Sequence, residues 1–366
     1  MSASPRTPEH EVHTMNTSEV ESDAVSAGSA TRSSNQLSSY ELISEMHIAA
    51  DFIEKLDSLK YTLEQDLMAC DAKWTLFVAA ALSYRYDSQL KPFPPKFVNE
   101  QTGFNIDALV SIINDTPKLR VVLQNILDQN YEEFDTEVLD LLHWVLVELR
   151  DPILRSVDEN EFNNIIVKLP KQQTEPMKPT HVFEVCPTKT SRTEDKFKQF
   201  SPEKHIKKAF YGNKLDSFFS IMQLGFEGML AKGQGDDDVS LSTELVTSAE
   251  RSPNGAGWGA SSCGSMIQCV ALCEYIDDAE YVTTRIPADS AITHIHVSKH
   301  DSIRVRYLLF YGSRFPDDNS AKSNMIGWLG RHKYALSLAC YTMLLTSIGI
   351  VSSFNNLNKR IYLNCK

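Results

Sequence analysis

Basic charge is scarce in this chain: 36 Lys and Arg stand against 48 Asp and Glu, the net charge is −12, and no basic stripe interleaved with aromatics occurs along the 366 residues. Without that electrostatic footprint, nucleic acid is excluded as a main partner. Paired cysteines are also lacking, since the seven are an odd number and none falls in the C-x-x-C spacing of a zinc ribbon. This argues for a reducing compartment rather than a disulfide scaffold. The amino terminus has neither the basic start nor the continuous apolar run of a secretory signal, so the bulk of the chain is expected in the cytosol and Asn114-Asp115-Thr116 is an idle sequon. Large apolar side chains are nearly missing from residues 1–38, which are rich in Ser, Thr, Glu and Ala. Such a segment cannot offset the entropy of ordering and is expected to be a disordered tail.

What is present is an ordinary globular share of apolar residues, 42%, over a length that suits two domains. From Tyr40 to about Val167 the pattern is helical: Ile48, Phe52, Ile53 and Leu56 recur at one spacing, as do Leu76, Phe77, Ala80 and Tyr84. Pro92-Phe93-Pro94-Pro95 must interrupt these helices, because proline lacks the N–H and restricts the residue before it. Val138 to Leu149 reads as apolar nearly all round and is expected to be the central helix, with Trp144 in the core. A polar, proline-punctuated run at 170–180 fits an inter-domain linker between a helical domain at 39–169 and a second domain at 181–320.

The second domain carries short β-rich segments: His181 to Val185, Lys208 to Tyr211, Met266 to Ile276, Ala291 to Val297 and Ile303 to Tyr311. The chain is thus of the α+β class. His294 and His296 alternate on a strand and share a face, which reads as a solvated or edge-strand pair rather than a metal site, and no metal is expected. At Ala209-Phe210-Tyr211-Gly212 an apolar strand bends into a helix over Leu215 to Leu224. Gly212 allows close approach of a flat ligand. Asp216 is placed to cap the helix and Gly225 to stop it. Near the carboxyl terminus, within a juxtamembrane and anchor segment at 321–366, Tyr334 to Phe354 runs without a charge over the length that crosses hydrocarbon. A single transmembrane helix over about 334–354 is expected, flanked by Arg331, Lys333, Lys359 and Arg360, with Trp328 and Tyr334 at the interface. So late a span implies a tail anchor with the folded domains facing the cytosol.

Leu76-Phe77, Ala80, Ser83-Tyr84, Asp87-Ser88, Leu90 and Pro92-Phe93-Pro94 in the helical part form one set of landmarks. Ala209-Phe210, Gly212, Leu215, Phe218, Ser252-Pro253, Gly255, Gly257-Trp258, Val305, Tyr307-Leu308-Leu309 and Tyr311 form a second. With these the chain resembles the poly(ADP-ribose) polymerase family, in its tail-anchored mono-ADP-ribosyltransferase branch. The resemblance implies an ADP-ribosyltransferase-like second domain and NAD as the partner and substrate, with one ADP-ribose passed to a protein acceptor. It further implies an endoplasmic reticulum or nuclear-envelope membrane.

The same resemblance assigns the NAD-binding positions. Tyr211 stands where the family has a ribose-binding His, Gly212 would hold the nicotinamide carboxamide, and Ser240 stands where the family has a stacking Tyr. Tyr307 is the third signature position and the catalytic one. A hydroxymethyl group cannot stack, a phenol is longer than imidazole, and Asp236, Asp237 and Asp238 replace a Gly-containing turn ahead of Ser240. Three readings stay open, of which two keep the resemblance: a transferase with impaired NAD binding and catalysis, or a catalytically dead pseudoenzyme serving as a membrane-held interaction or regulatory module. A tail-anchored adaptor of unrelated fold is the third.

Overall fold

The computed structural model describes residues 39–314 except 100, 102, 132–134, 168, 170, 171, 173–176, 230–237 and 287–291. The tail at 1–38, the span at 334–354 and Asp236 and Asp237 lie outside the described residues. Among the described residues no helix is long and apolar enough to cross a membrane. The chain divides into two compact units, Met1–Ala49 and Ala50–Lys366. The first contributes only the opening turns of α1 (Ser39–Gln65) to the described residues, and the second holds everything discussed below.

Asp66 separates α1 from α2 (Leu67–Ala81) and caps the latter, its side chain accepting from the Ala69 N–H at 2.9 Å. Helix α2 is rich in alanine and largely apolar, and every residue from Ala69 to Ala81 is buried. It is the central helix, the place expected for Val138 to Leu149. That later stretch forms α6 (Thr136–His143), continued by a π-helical turn at Trp144–Glu148. Asp140 gives it a polar face, bonded to Lys55 at 3.0 Å and Lys96 at 3.2 Å. Trp144 packs edge-on against Phe77, 6.2 Å between ring centroids, and is only half-buried.

Two further assignments change. Ile53 is 53% exposed, because the buried stripe of α1 runs through Leu56, Leu59 and Leu63. Tyr84 is 82% exposed, because α2 ends at Ala81 before a turn. The remaining helical elements are α3 (Tyr86–Gln89), α4 (Ile106–Asp115) and α5 (Leu119–Leu127), with a two-stranded ribbon of β1 (Val98–Asn99) and β2 (Gly103–Phe104). Asn105 caps α4, and Leu109, Ile112 and Ile113 are its buried face.

A nine-stranded sheet completes the molecule. Its strands are β3 (Ile153–Val157), β4 (His181–Cys186), β5 (Ile206–Gly212), β6 (Val239–Ser242), β7 (Gly255–Ala256), β8 (Met266–Ile276), β9 (Val282–Arg285), β10 (His294–Val297) and β11 (Ile303–Ser313). The order is β3-β4-β11-β8-β5-β6-β10-β9, with β7 pairing to β8, and every pairing is antiparallel. Strand β3 falls within the stretch read from periodicity as helical, 39–169, yet it covers the outer edge of β4 from Ile153 opposite Cys186 to Val157 opposite Val182. After it comes α7 (Glu159–Ile166), capped by Asp158, and later α8 (Arg192–Phe200), α9 (Phe218–Leu224) and α10 (Leu245–Glu250).

The helical and sheet parts share one core. A continuous buried cluster runs from Leu56 and Phe77 through Tyr211 and Phe219 to Leu308 and Phe310. On the other sheet face a smaller cluster joins Phe162 and Ile165 of α7 to Phe210, Leu245, Val270, Leu272 and Leu309. The polar tie across the larger core is Asp71 on α2. Its buried carboxylate accepts from the Ser261 hydroxyl and from the Ser262 N–H at 3.0 Å, and Trp74 sits edge-on to Trp258 at 6.1 Å. Replacing Asp71 by Ala leaves the buried Ser261 hydroxyl and the part-buried Ser262 N–H without their acceptor. The variant is expected to lose about 2–4 kcal/mol, measured as a drop in the urea midpoint, with both parts of the molecule unfolding in one transition.

Candidate functional site

The bend from β5 into α9 places its side chains on alternate faces. Ala209 and Tyr211 enter the larger core and Phe210 enters the smaller one. Tyr211 is buried, its ring edge-on to Phe226 at 5.0 Å and to Phe218 at 6.2 Å. Its hydroxyl accepts from Asn213 Nδ2 at 2.6 Å. Burial pushes the phenol up to about 12, against the opposing pull of Asn213, so it stays neutral at physiological pH.

Gly212 is demanded by packing. A Cβ there would lie 1.7 Å from the Ser248 carbonyl oxygen, because α10 crosses directly over it. Asp216 does not cap the helix. It lies inside a 3-10 turn at Leu215–Ser217, and its Oδ2 accepts from Ser83 Oγ at 2.7 Å, tying α9 to the turn after α2. Gly225 does stop α9, with φ +73° and its N–H returned to the Ile221 carbonyl at 2.9 Å.

Register shows which site residues meet. Tyr307, Leu272, Phe210, Ser242 and His294 are successive partners across β11, β8, β5, β6 and β10 and therefore share one face. Three strand spacings put Tyr307 about 14 Å from Ser242. The structure thus does not bring Tyr307 to Ser240. It sits over α7's end of the sheet opposite Glu184, with its phenol pushed up by burial first and by Glu184 second. Tyr211 is separated from both by pointing through the opposite face.

Ser240 has different company. Its β10 partner is His296, Ser242 faces His294, and Arg251, just past α10, reaches back over both strands. Arg251 Nη1 donates to Ser240 Oγ at 2.7 Å and Nη2 donates to His294 Nδ1 at 3.3 Å. His294 is held below the ordinary histidine range by partial burial first, then by the Arg251 and His296 charges. A neutral ring that accepts at Nδ1 carries its proton on Nε2. This Ser240–Arg251–His294 group was missed as a unit in the sequence. The one available signal was His-x-His alternation opposite Ser-x-Ser, and the pair lies between β6 and β9, not on an edge. Among the described residues no group of His, Cys, Asp and Glu could hold a metal ion.

Of the candidate NAD positions, Tyr211 offers its ring to the core, Gly212 lies at the bend under α10, Ser240 has its hydroxyl engaged by a guanidinium, and Tyr307 stands three strands from Ser242.

Residues 61–146 match the family model described as the ARTD15 N-terminal domain. Over 311 residues the chain is 27% identical to the protein mono-ADP-ribosyltransferase PARP16 of Mus musculus and to that of Homo sapiens, a span of 79% of this chain and 92% of each relative. With the helical and sheet parts found here, these matches support a divergent PARP16-like protein.

The Arg251 charge is a named cause of the low His294 pKa, so its removal has a definite sign. In Arg251→Ala the His294 pKa is expected to rise toward the ordinary value of about 6.5, read by NMR titration of the ring protons. An unchanged value would mean that the guanidinium does not sit on His294.

Proposed function

We propose that this protein is a membrane-anchored member of the mono-ADP-ribosyltransferase branch in which NAD binding and transfer are impaired, and that it acts as a membrane-held interaction or regulatory module. The observation that carries this reading is the placement of Tyr211 and Ser240. The first is locked by Phe218, Phe226 and Asn213 on the far side of the sheet from the second. The second is bound by Arg251. A stacking ring contributes about 0.5–1.5 kcal/mol beyond burial, and a ribose hydrogen bond adds a similar amount. Their joint loss weakens a nucleotide by about one to two orders of magnitude. Arg251 also fills the space before β6 and β10 with a bulky cation.

A low residual transferase activity is the second reading, and Gly212 favours it, because its backbone remains at the bend where a flat carboxamide could approach. The second reading keeps the acceptor a protein side chain, and both keep the anchor as the uncharged run Tyr334 to Phe354. The membrane proposed is the endoplasmic reticulum or nuclear envelope, with the folded parts facing the cytosol.

Thermal unfolding of the full-length protein with and without millimolar NAD separates these readings, since a bound ligand stabilises by mass action. No shift is expected for the natural sequence, and a shift of several degrees would overturn impaired binding. The paired change Tyr211→His with Ser240→Tyr is expected to gain NAD-dependent stabilisation. A folded double variant that gains neither stabilisation nor automodification would show that these two positions are not the cause. For the anchor, a fluorescent protein fused to residues 321–366 is expected at the endoplasmic reticulum and nuclear rim. Diffuse fluorescence would overturn the anchor, and a mitochondrial pattern would overturn the proposed compartment.

A further inference from the structure

A cleft of about 360 Å³ opens between α1, α2, the π-helical turn after α6 and β3, away from every residue assigned to NAD. Its walls are chiefly apolar, formed by Ala69, Cys70, Leu146, Val147 and Leu154. That size and lining are those of a small-molecule site. At its base lies Lys73, 9% exposed, on the face of α2 turned from the sheet loop held by Asp71. The ammonium donates to the carbonyls of Leu149 and of Pro152, the latter at 3.4 Å. An ammonium has three protons to donate, so one is left for the cleft. Among the described residues no carboxylate forms an ion pair with Lys73.

Burying a cation without a counter-ion in contact is costly. The other charged groups lining the cleft settle its sign. Arg150 lies at the mouth. Asp66 is the one lining carboxylate, and both its oxygens are committed: Oδ1 to the Ala69 N–H at 2.9 Å and the Ser156 hydroxyl at 2.8 Å, Oδ2 to the Ser156 N–H at 2.6 Å. Two cations therefore face the cleft against one carboxylate whose oxygens are already occupied by neutral donors. Cys70 adds no charge, because burial pushes its thiol up to about 12.

We propose that this cleft binds a small amphipathic carboxylic acid, with its apolar body against Cys70, Leu146 and Leu154 and its carboxylate on Lys73. Burial lowers the Lys73 pKa to about 8, against a smaller opposing pull from Cys70 and from the Asp151 carboxylate, which forms no ion pair with it. The site lies in the helical part and does not depend on whether NAD binds at the bend.

The test compares 4-phenylbutyrate with 4-phenylbutan-1-ol on the full-length protein by ligand-observed NMR titration. Hydrogen exchange then locates the bound acid. The acid is expected to bind at least tenfold more tightly than the alcohol, because a charge-assisted hydrogen bond is lost with the latter. Protection is expected in residues 58–73 and 146–154. Lys73→Met should weaken the acid about tenfold or more and leave the alcohol within about twofold. Should that variant fail to fold, Arg150→Glu at the exposed mouth decides, with an expected loss of about threefold for the acid alone. Equal binding of acid and alcohol, protection elsewhere, or affinities unmoved by whichever of the two variants folds would each overturn the proposal.

Discussion

Helix α2 is buried around its whole circumference, and a helix in that position must satisfy neighbours on every side. On the sheet side its one acidic group, Asp71, is taken up by the Ser261 and Ser262 donors of the loop after Trp258. On the opposite side its one basic group, Lys73, is held by the carbonyls of Leu149 and Pro152, at the entry to β3. Between them Trp74 packs on Phe77 and Trp258. This single element therefore decides where the sheet loop sits and where the edge strand begins. Its loss would separate the two parts of the core.

The bend at Gly212 inherits its geometry from this arrangement. Phe77 of α2 meets Phe219 of α9 edge-on at 5.4 Å, and Ser83 and Gln89 beyond α2 bond Asp216 and Ser220. Helix α9 is thereby fixed against the helical part, and with it the Phe218 and Phe226 rings that receive Tyr211. On the other face α10 lies so close to β5 that only glycine fits at 212. The tyrosine is consequently a core residue, held by packing on both sides of its ring.

Ion pairs strengthen the far end of the sheet. Arg304 on β11 is shared between Glu194 of α8 at 2.5 Å and Glu274 of β8 at 2.7 Å, with its guanidinium 4.0 Å from the Phe197 ring centroid. Half-buried and bidentate in character, this network contrasts with the exposed pairs of the helical surface, which contribute little. It clamps α8 to the sheet well away from Ser240, whose surroundings stay open enough for Arg251 to bridge two strands.

Much of the fold was legible in local pattern. Met266–Ile276 came out at the expected ends, and the bend, its helix and the Gly225 stop follow from side chains within a dozen residues. Period-two alternation also dictated that Phe210 and Tyr211 point to opposite faces. What local pattern could not carry was strand order and partner choice. Strand β11, last among those described, is inserted between β4 and β8, and this alone removes Tyr307 from Ser240. Strand β3 became visible only as the cover of an edge, and Val138 to Leu149 lost its central place to α2 once Asp140 found Lys55 and Lys96. Composition and periodicity determined most of the helix and strand segments, β3 excepted, and most of the residues that seek burial, because those preferences act over one or two turns of chain. The tertiary structure alone decided which face of the sheet became core, and so that Tyr211 is packed away while Ser240 answers to an arginine eleven positions later. That choice depends on contacts between elements far apart in sequence.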